Sequence, residues 1–237
     1  MKSSLKSLII LILSLANLSI GFSFEQNEFT ENLDLNRISV NFNGSVSNGT
    51  SILVYGDGGT ILRSIDGGTT WKKIVLADTL NIVGMISRGF LYLGLTSHRW
   101  GILSMDNGNT WNFVDIGNYN FYQLLPYNNN IIALTENKVL IFNTSFNIIQ
   151  EYPYNTDANY YKATISGNDI YCSSGYGKIT KINLENGNTN VLSLSDFGVC
   201  SDCPIVTDLV ADSKGNVFFS LNNYLFKFDT GRLKIDT

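Results

Sequence analysis

Short apolar runs rich in Ile, Val, Leu, Phe and Tyr recur along this chain, separated by clusters of Gly, Asn, Asp and Ser. Such runs, bounded by turn residues, read as strands. No stretch sustains a 3.6-residue apolar period, so the pattern predicts an all-β chain. The first four strands are expected at Ile38–Phe42, Ser51–Tyr55, Thr60–Ser64 and Trp71–Val75. The next four fall at Leu80–Ile86, Phe90–Leu95, Gly101–Ser104 and Trp111–Asp115. The rhythm continues through Phe121–Leu125, Ile131–Thr135, Lys138–Phe142 and Ile148–Tyr152. It repeats at Tyr160–Ile165, Asp169–Ser173, Lys178–Ile182 and Thr189–Leu192, and again at Ile205–Val210, Asn216–Leu221, Tyr224–Phe228 and Arg232–Ile235.

The repeat is sharpest in two turns. Ser64-Ile65-Asp66-Gly67-Gly68-Thr69-Thr70-Trp71 returns forty positions later as Ser104-Met105-Asp106-Asn107-Gly108-Asn109-Thr110-Trp111. Both read S-x-D-x-G-x-T-W. Asp and Ser/Thr side chains bond nearby backbone N–H groups and hold tight turns. Gly68 and Gly108 suit positive φ. Trp71 and Trp111 bury a large apolar ring while the indole N–H finds a partner. These residues therefore read as turn staples rather than catalytic acids or metal ligands. In the later units the Asp position maps to Asn143, Asn183 and Asp229. A period near forty residues, with four strands per unit, is that of a β-propeller.

The turn pattern is that of the Asp-box, or bacterial neuraminidase repeat. The run Tyr55-Gly56-Asp57-Gly58-Gly59-Thr60-Ile61-Leu62-Arg63-Ser64, continuing through Trp71-Lys72-Lys73-Ile74, resembles a blade of the photosystem II assembly and stability factor family. It is also similar to blades of sortilin-type sorting receptors. The resemblance covers two blades. It implies a β-propeller with the Asp-box on the loop joining the last two strands of a blade. Sialidases and xyloglucanases share the repeat, so it points to fold more than to family. The expected blades span residues 37–78, 79–117, 118–156, 157–196 and 197–237, either as a compact five-bladed ring or as an arc that needs a partner or a further segment. A strand from the N-terminal segment could complete the last blade and so close the ring.

Lys2 and Lys6 precede the apolar run Leu8–Leu18, followed by the small residues Ser19, Gly21 and Ser23. A basic start, a short apolar core and a small-residue end make residues 1–23 a signal peptide. The run is shorter than the ~20 residues of a membrane span. Cleavage is expected after Gly21 or Ser23, with residues 24–36 as an acidic leader. The mature chain is then secreted, or periplasmic in a bacterium, and not membrane-bound. The net charge of −4 argues against nucleic acid as a partner, because phosphate binding draws on Lys and Arg. An Arg- and Ser-rich plastid transit peptide is absent.

No catalytic constellation stands out. A sialidase needs an arginine cluster, a Tyr–Glu pair and an acid, yet the Arg residues are scattered at 37, 63, 88, 99 and 232. A glycosidase also needs two carboxyl groups facing one bond. The expectation is a non-enzymatic protein- or glycan-binding module without metal or cofactor, the alternative being a sialidase-like hydrolase or its remnant. His98-Arg99-Trp100 holds the single His and replaces the Asp57-Gly58-Gly59 loop of the preceding blade. Successive hairpin loops alternate ends. Asp57, His98, Arg99 and Trp100 should therefore share the face away from the Asp-boxes and form the partner site. Export would oxidise Cys172, Cys200 and Cys203 in pairs, either Cys200 with Cys203 or Cys172 with one of them. Asn43, Asn48 and Asn143 begin N-glycosylation sequons.

Overall fold

The computed structural model describes residues 27–29, 39–153, 160–175, 177–199, 206–221, 224–229 and 234–236. The expected signal peptide, most of the leader, and Cys200 and Cys203 lie outside these residues. The described chain is almost entirely antiparallel sheet, apart from one 3-10 turn at Leu194–Phe197.

Four-stranded units follow one another. Blade I is β2 (Phe42–Ser47), β3 (Ile52–Gly56), β4 (Thr60–Ser64) and β5 (Lys72–Val75). Blade II is β6 (Ile82–Arg88), β7 (Leu91–Thr96), β8 (His98–Ser104) and the start of β9 (Asn112–Tyr127). Blade III takes the rest of β9 with β10 (Asn130–Thr135), β11 (Lys138–Phe142) and β12 (Ile148–Pro153). Blade IV is β13 (Tyr160–Ser166), β14 (Asp169–Ser174), β15 (Lys178–Asn183) and β16 (Thr189–Ser193). Blade V is β17 (Asp208–Ala211), β18 (Val217–Leu221), β19 (Tyr224–Asp229) and β20 (Lys234–Asp236).

The middle strands are covered on both faces, which is why they read as unbroken apolar runs. Ile131 to Thr135 in β10 are all buried, as are Tyr92 to Thr96 in β7. The core lies between blades. Leu53, Tyr55 and Ile61 of blade I pack with Met85, Tyr92 and Ile102 of blade II. Leu93 and Leu95 pack with Leu124 and Ala133 at the next junction. Leu134 and Val139 meet Ala163 and Ile170 at the third, and Tyr171 and Ile179 meet Leu209 and Phe219 at the fourth.

Three expectations change. Blades II and III are not separated by a break, because β9 runs from Asn112 to Tyr127 and joins their sheets. The amide of Phe121 bonds the Ser97 carbonyl at 2.9 Å, and β8 pairs with β9 as far as His98 and Asn120. The link between blades is thereby drawn into the ladder. Residues 98–100 are not a loop but the start of β8, with a bulge between His98 and Trp100 that leaves Arg99 at φ 61°. β1 (Asn27–Phe29) adds to the outer edge of blade I beside β5, and does not complete the last blade.

The innermost strands touch in the order β2, β6, β9, β13, β17, and among the described residues no comparable contact joins β17 back to β2. The loops between third and fourth strands tell the same story, since those of blades II, III and IV each lean on the blade before it. Gly108 of blade II lies over Leu53 of blade I, and the Phe146 ring of blade III lies over Gly101 of blade II. The Leu184 carbonyl of blade IV accepts from the Tyr152 hydroxyl of blade III at 2.6 Å. In blade I the equivalent loop is exposed at Ile65, Asp66, Gly67, Thr69 and Thr70. The described blades form an arc.

Candidate protein-binding surface

At one end of the arc sit the S-x-D-x-G-x-T-W loops. In blade I the Ser64 hydroxyl donates to Asp66 Oδ1 at 2.8 Å and accepts from the Gly68 amide at 2.8 Å. Asp66 Oδ1 accepts from the Thr70 amide at 2.9 Å, and Oδ2 from the Thr70 hydroxyl at 2.6 Å. The Trp71 indole N–H closes the loop on the Gly68 carbonyl at 2.9 Å. Ser104, Asp106, Gly108, Thr110 and Trp111 repeat every one of these bonds in blade II. Bonds from the Thr70 side chain and amide, then from Ser64, bring the Asp66 carboxyl from 3.8 down to about 2. Burial pushes Asp106 upward, but bonds from Thr110, Ser104 and Asn109 outweigh it and hold that carboxyl low. The oxygens of both acids are taken up by the turn.

Asn143 and Asn183 hold the same loop in blades III and IV, though not as counterparts of Asp66. Asn143 Oδ1 accepts from the amides of Ser145 and Asn147, two and four residues on, as Ser64 Oγ does from Asp66 and Gly68. Asn183 Oδ1 accepts from Glu185 and Asn186. These Asn residues sit where the Ser of the first two blades sits.

The opposite end carries Asp57 and residues 98–100. Asn81 joins the two loops, with its side-chain oxygen accepting from the Gly58 amide at 3.2 Å and its carbonyl from the Ser97 amide at 2.7 Å. Asp57 is itself a staple, accepting from the amide groups of Asn41 and Asn43 at 3.2 and 3.0 Å. His98 and Arg99 are exposed, and Trp100 is half-buried. Arg99 Nε and Nη2 both donate to Asp115 Oδ2, at 3.0 and 2.5 Å. The guanidinium also lies over the Trp100 ring, 5.2 Å from its centroid, and that ring meets Phe113 edge-on at 6.1 Å. The bond and charge of Asp115 raise Arg99 further, and Arg99 lowers Asp115 in return. An exposed pair of this kind adds little stability. Its effect is to hold a cation and an aromatic face in one fixed geometry on the rim.

The bulge that presents this cluster rests on Thr96. The buried Thr96 hydroxyl lies 2.7 Å from the His98 carbonyl and 3.1 Å from that of Trp100. Thr135 bonds the Lys138 carbonyl in blade III and Ser174 the Lys178 carbonyl in blade IV. A hydroxyl residue thus recurs at 96, 135 and 174, ending the second strand of three blades. The spacing was visible in the sequence but hidden by the louder Trp turns.

Cys172 is free and fully buried among Ile170, Ala163 and Ile182, while Cys200 and Cys203, its candidate partners, lie outside the described residues. Burial in this apolar setting pushes the thiol well above its usual range. Of the sequons, Asn48 spends its side-chain nitrogen between blades, on the Gly89 carbonyl at 2.6 Å and Asn107 Oδ1 at 2.9 Å. Asn43 likewise bonds Asp57 and the Ile82 carbonyl.

The fold is a β-propeller, with its blades as antiparallel sheets around an inner row of strands. Solved propellers superpose on it. YCF48 bound to a D1 peptide aligns with a TM-score of 0.69 at 8% identity, covering 92% of this chain and 74% of that one. YCF48 from Cyanidioschyzon merolae gives 0.67 at 15% identity, over 83% and 71% of the two chains. The WD40 propeller domain of Doa1 gives 0.64 at 8% identity, over 83% and 67%. No protein-family profile and no curated protein matches the chain.

Proposed function

We propose that this chain is a non-catalytic propeller that binds a protein partner at the end opposite the S-x-D loops, with Arg99 and Trp100 as anchors and Asp57 and His98 beside them. The observation that carries this reading is the Arg99–Trp100–Asp115 cluster. An exposed cation and a half-buried aromatic ring stand together on a bulge that a buried hydroxyl holds in place. Arg and Trp are the residue types that dominate binding energy at protein interfaces. The propeller of YCF48, solved with a D1 peptide bound, supports the general role. Secretion belongs to the same proposal, as does a glycan in place of a peptide.

The test is selection of a displayed random-peptide library on the purified chain. The expected result is peptides that lose ~10-fold or more in affinity when Arg99→Ala and Trp100→Ala are combined, with the melting temperature little changed. Peptides that bind the double variant at full strength would refute the site. Turnover of a fluorogenic sialoside would instead favour the hydrolase.

A further inference from the structure

Asn43, Asn48 and Asn143 each begin an Asn-x-Ser/Thr sequon, and the structure sets the third apart from the other two. A side-chain amide nitrogen carries two hydrogens, and an N-linked sugar takes the place of one. A folded sequon therefore accepts a glycan without loss only where that nitrogen has a hydrogen to spare. Asn48 has none, since Nδ2 donates to the Gly89 carbonyl at 2.6 Å and to Asn107 Oδ1 at 2.9 Å, both on blade II. Asn43 has none either, with Nδ2 donating to Asp57 Oδ1 and to the Ile82 carbonyl of blade II, each at 3.0 Å. A sugar on either residue breaks a bond within blade I or between blades I and II.

Asn143 follows β11 in the blade III loop at the S-x-D end, with Thr144 and Ser145 of its sequon exposed. Its Oδ1 accepts from the Ser145 and Asn147 amides at 2.9 and 3.0 Å, while its nitrogen donates to nothing among the described residues. Its backbone closes the turn on Asn147 and Phe146, and the buried Phe146 ring pins that turn over Gly101 of blade II. The acceptor is thus held by its oxygen and free at its nitrogen. We propose that Asn143 is the acceptor of an N-linked glycan. The assignment rests on the export reading above, along a route that meets a lipid-linked oligosaccharide. There Nδ2 bonds to C1 of the first sugar and gives up one proton, while the bond from C1 to the lipid diphosphate breaks. The lipid diphosphate leaves with the electron pair of that bond. Transfer meets the unfolded chain, and folding then decides which product is tolerated. A chain glycosylated at Asn143 keeps every described hydrogen bond. Its glycan stands at the end away from Arg99 and Trp100 and leaves that rim open to a partner.

Two measurements test the site. The full chain is expressed in a eukaryotic secretory host, and the secreted protein is digested with a peptide N-glycosidase in heavy-oxygen water, which marks each glycosylated Asn. The mark is expected at Asn143. Ser145→Ala removes the sequon but keeps both amide bonds to Asn143 Oδ1. It should abolish the mark and leave the melting temperature of the deglycosylated protein unchanged. Separately, the folded full chain from a bacterial host is treated with a soluble sequon-specific N-glucosyltransferase and UDP-glucose. Hexose is expected on Asn143 at ~10-fold or more the level on Asn43 or Asn48, whose nitrogens must first give up a bond. A chain missing from the medium, with hexose on Asn143 in the second measurement, overturns export and supports the acceptor. A secreted, cooperatively melting chain marked at Asn43 or Asn48 but not at Asn143 overturns the proposal. So does a secreted chain with no mark, or hexose spread evenly over the sequons of the folded chain.

Discussion

The loops at Ser64–Trp71 and Ser104–Trp111 share five residues and the bonds those residues make with one another, yet they do different things. The first hangs at the start of the arc with most of its residues in water. The second is wedged against the blade before it. Trp111 is 9% exposed and joins the core between blades I and II, and Gly108 sits over the buried Leu53. The Asn107 carbonyl accepts from Arg63 Nε at 2.7 Å, and its side chain accepts from Asn48 at 2.9 Å. Blade I has Gly67 where blade II has Asn107, and so has no side chain to reach across. The motif shapes a turn, and the neighbouring blade decides what that turn holds together.

The largest contrast should come from the tryptophans. Trp111→Ala removes a ring from between two blades and is expected to cost ~3–5 kcal/mol. Trp71→Ala removes a half-exposed ring and should cost ~1–2 kcal/mol. Urea unfolding of both variants measures the gap. Equal costs would show that the ring serves only its own loop.

Acid should probe the first loop next. The folded Asp66 carboxyl titrates at about 2, below its ordinary 3.8. The depressed value means that its stabilisation is fully present above the ordinary value and is lost as pH falls toward 2. Asp106 is lowered too, and behaves the same way in sign. Melting temperature followed from pH 5 to pH 2 should fall less steeply in Asp66→Asn than in the wild type. A parallel fall would mean that the Thr70 bonds do not discriminate between the charged and neutral acid.

The smallest effect is expected at Asn143. Asn143→Ala removes one side-chain acceptor from two exposed amides, for ~1 kcal/mol. Asn143→Ser should recover part of it, since Ser64 makes the same pair of bonds. If Ser restores nothing, the correspondence between the two turns fails.

Strand identity and turn chemistry were readable from the residues because both are local. A strand buried on both faces is an apolar run, and a stapled turn needs Asp, Ser, Thr, Asn or Gly at set offsets. That is why the repeat was legible in blades I and II and its rhythm survived into blades III to V. The binding-site candidates were legible only as residue types. Whether Arg99 and Trp100 lie on a loop or on a strand depended on whether β8 could pair back to His98, and that rested on Asn120 further along β9.

What the sequence alone determined was the all-β class, the forty-residue unit and the internal bonding of its two strongest turns. The tertiary structure decided the rest. It merged the strands of two blades through β9, placed β1 on blade I, buried one Trp turn and exposed the other, and left Val210 and Leu225 of blade V exposed. Each of these depends on the neighbour a face meets, and residues forty or more positions apart set that neighbour through packing, which no local pattern encodes.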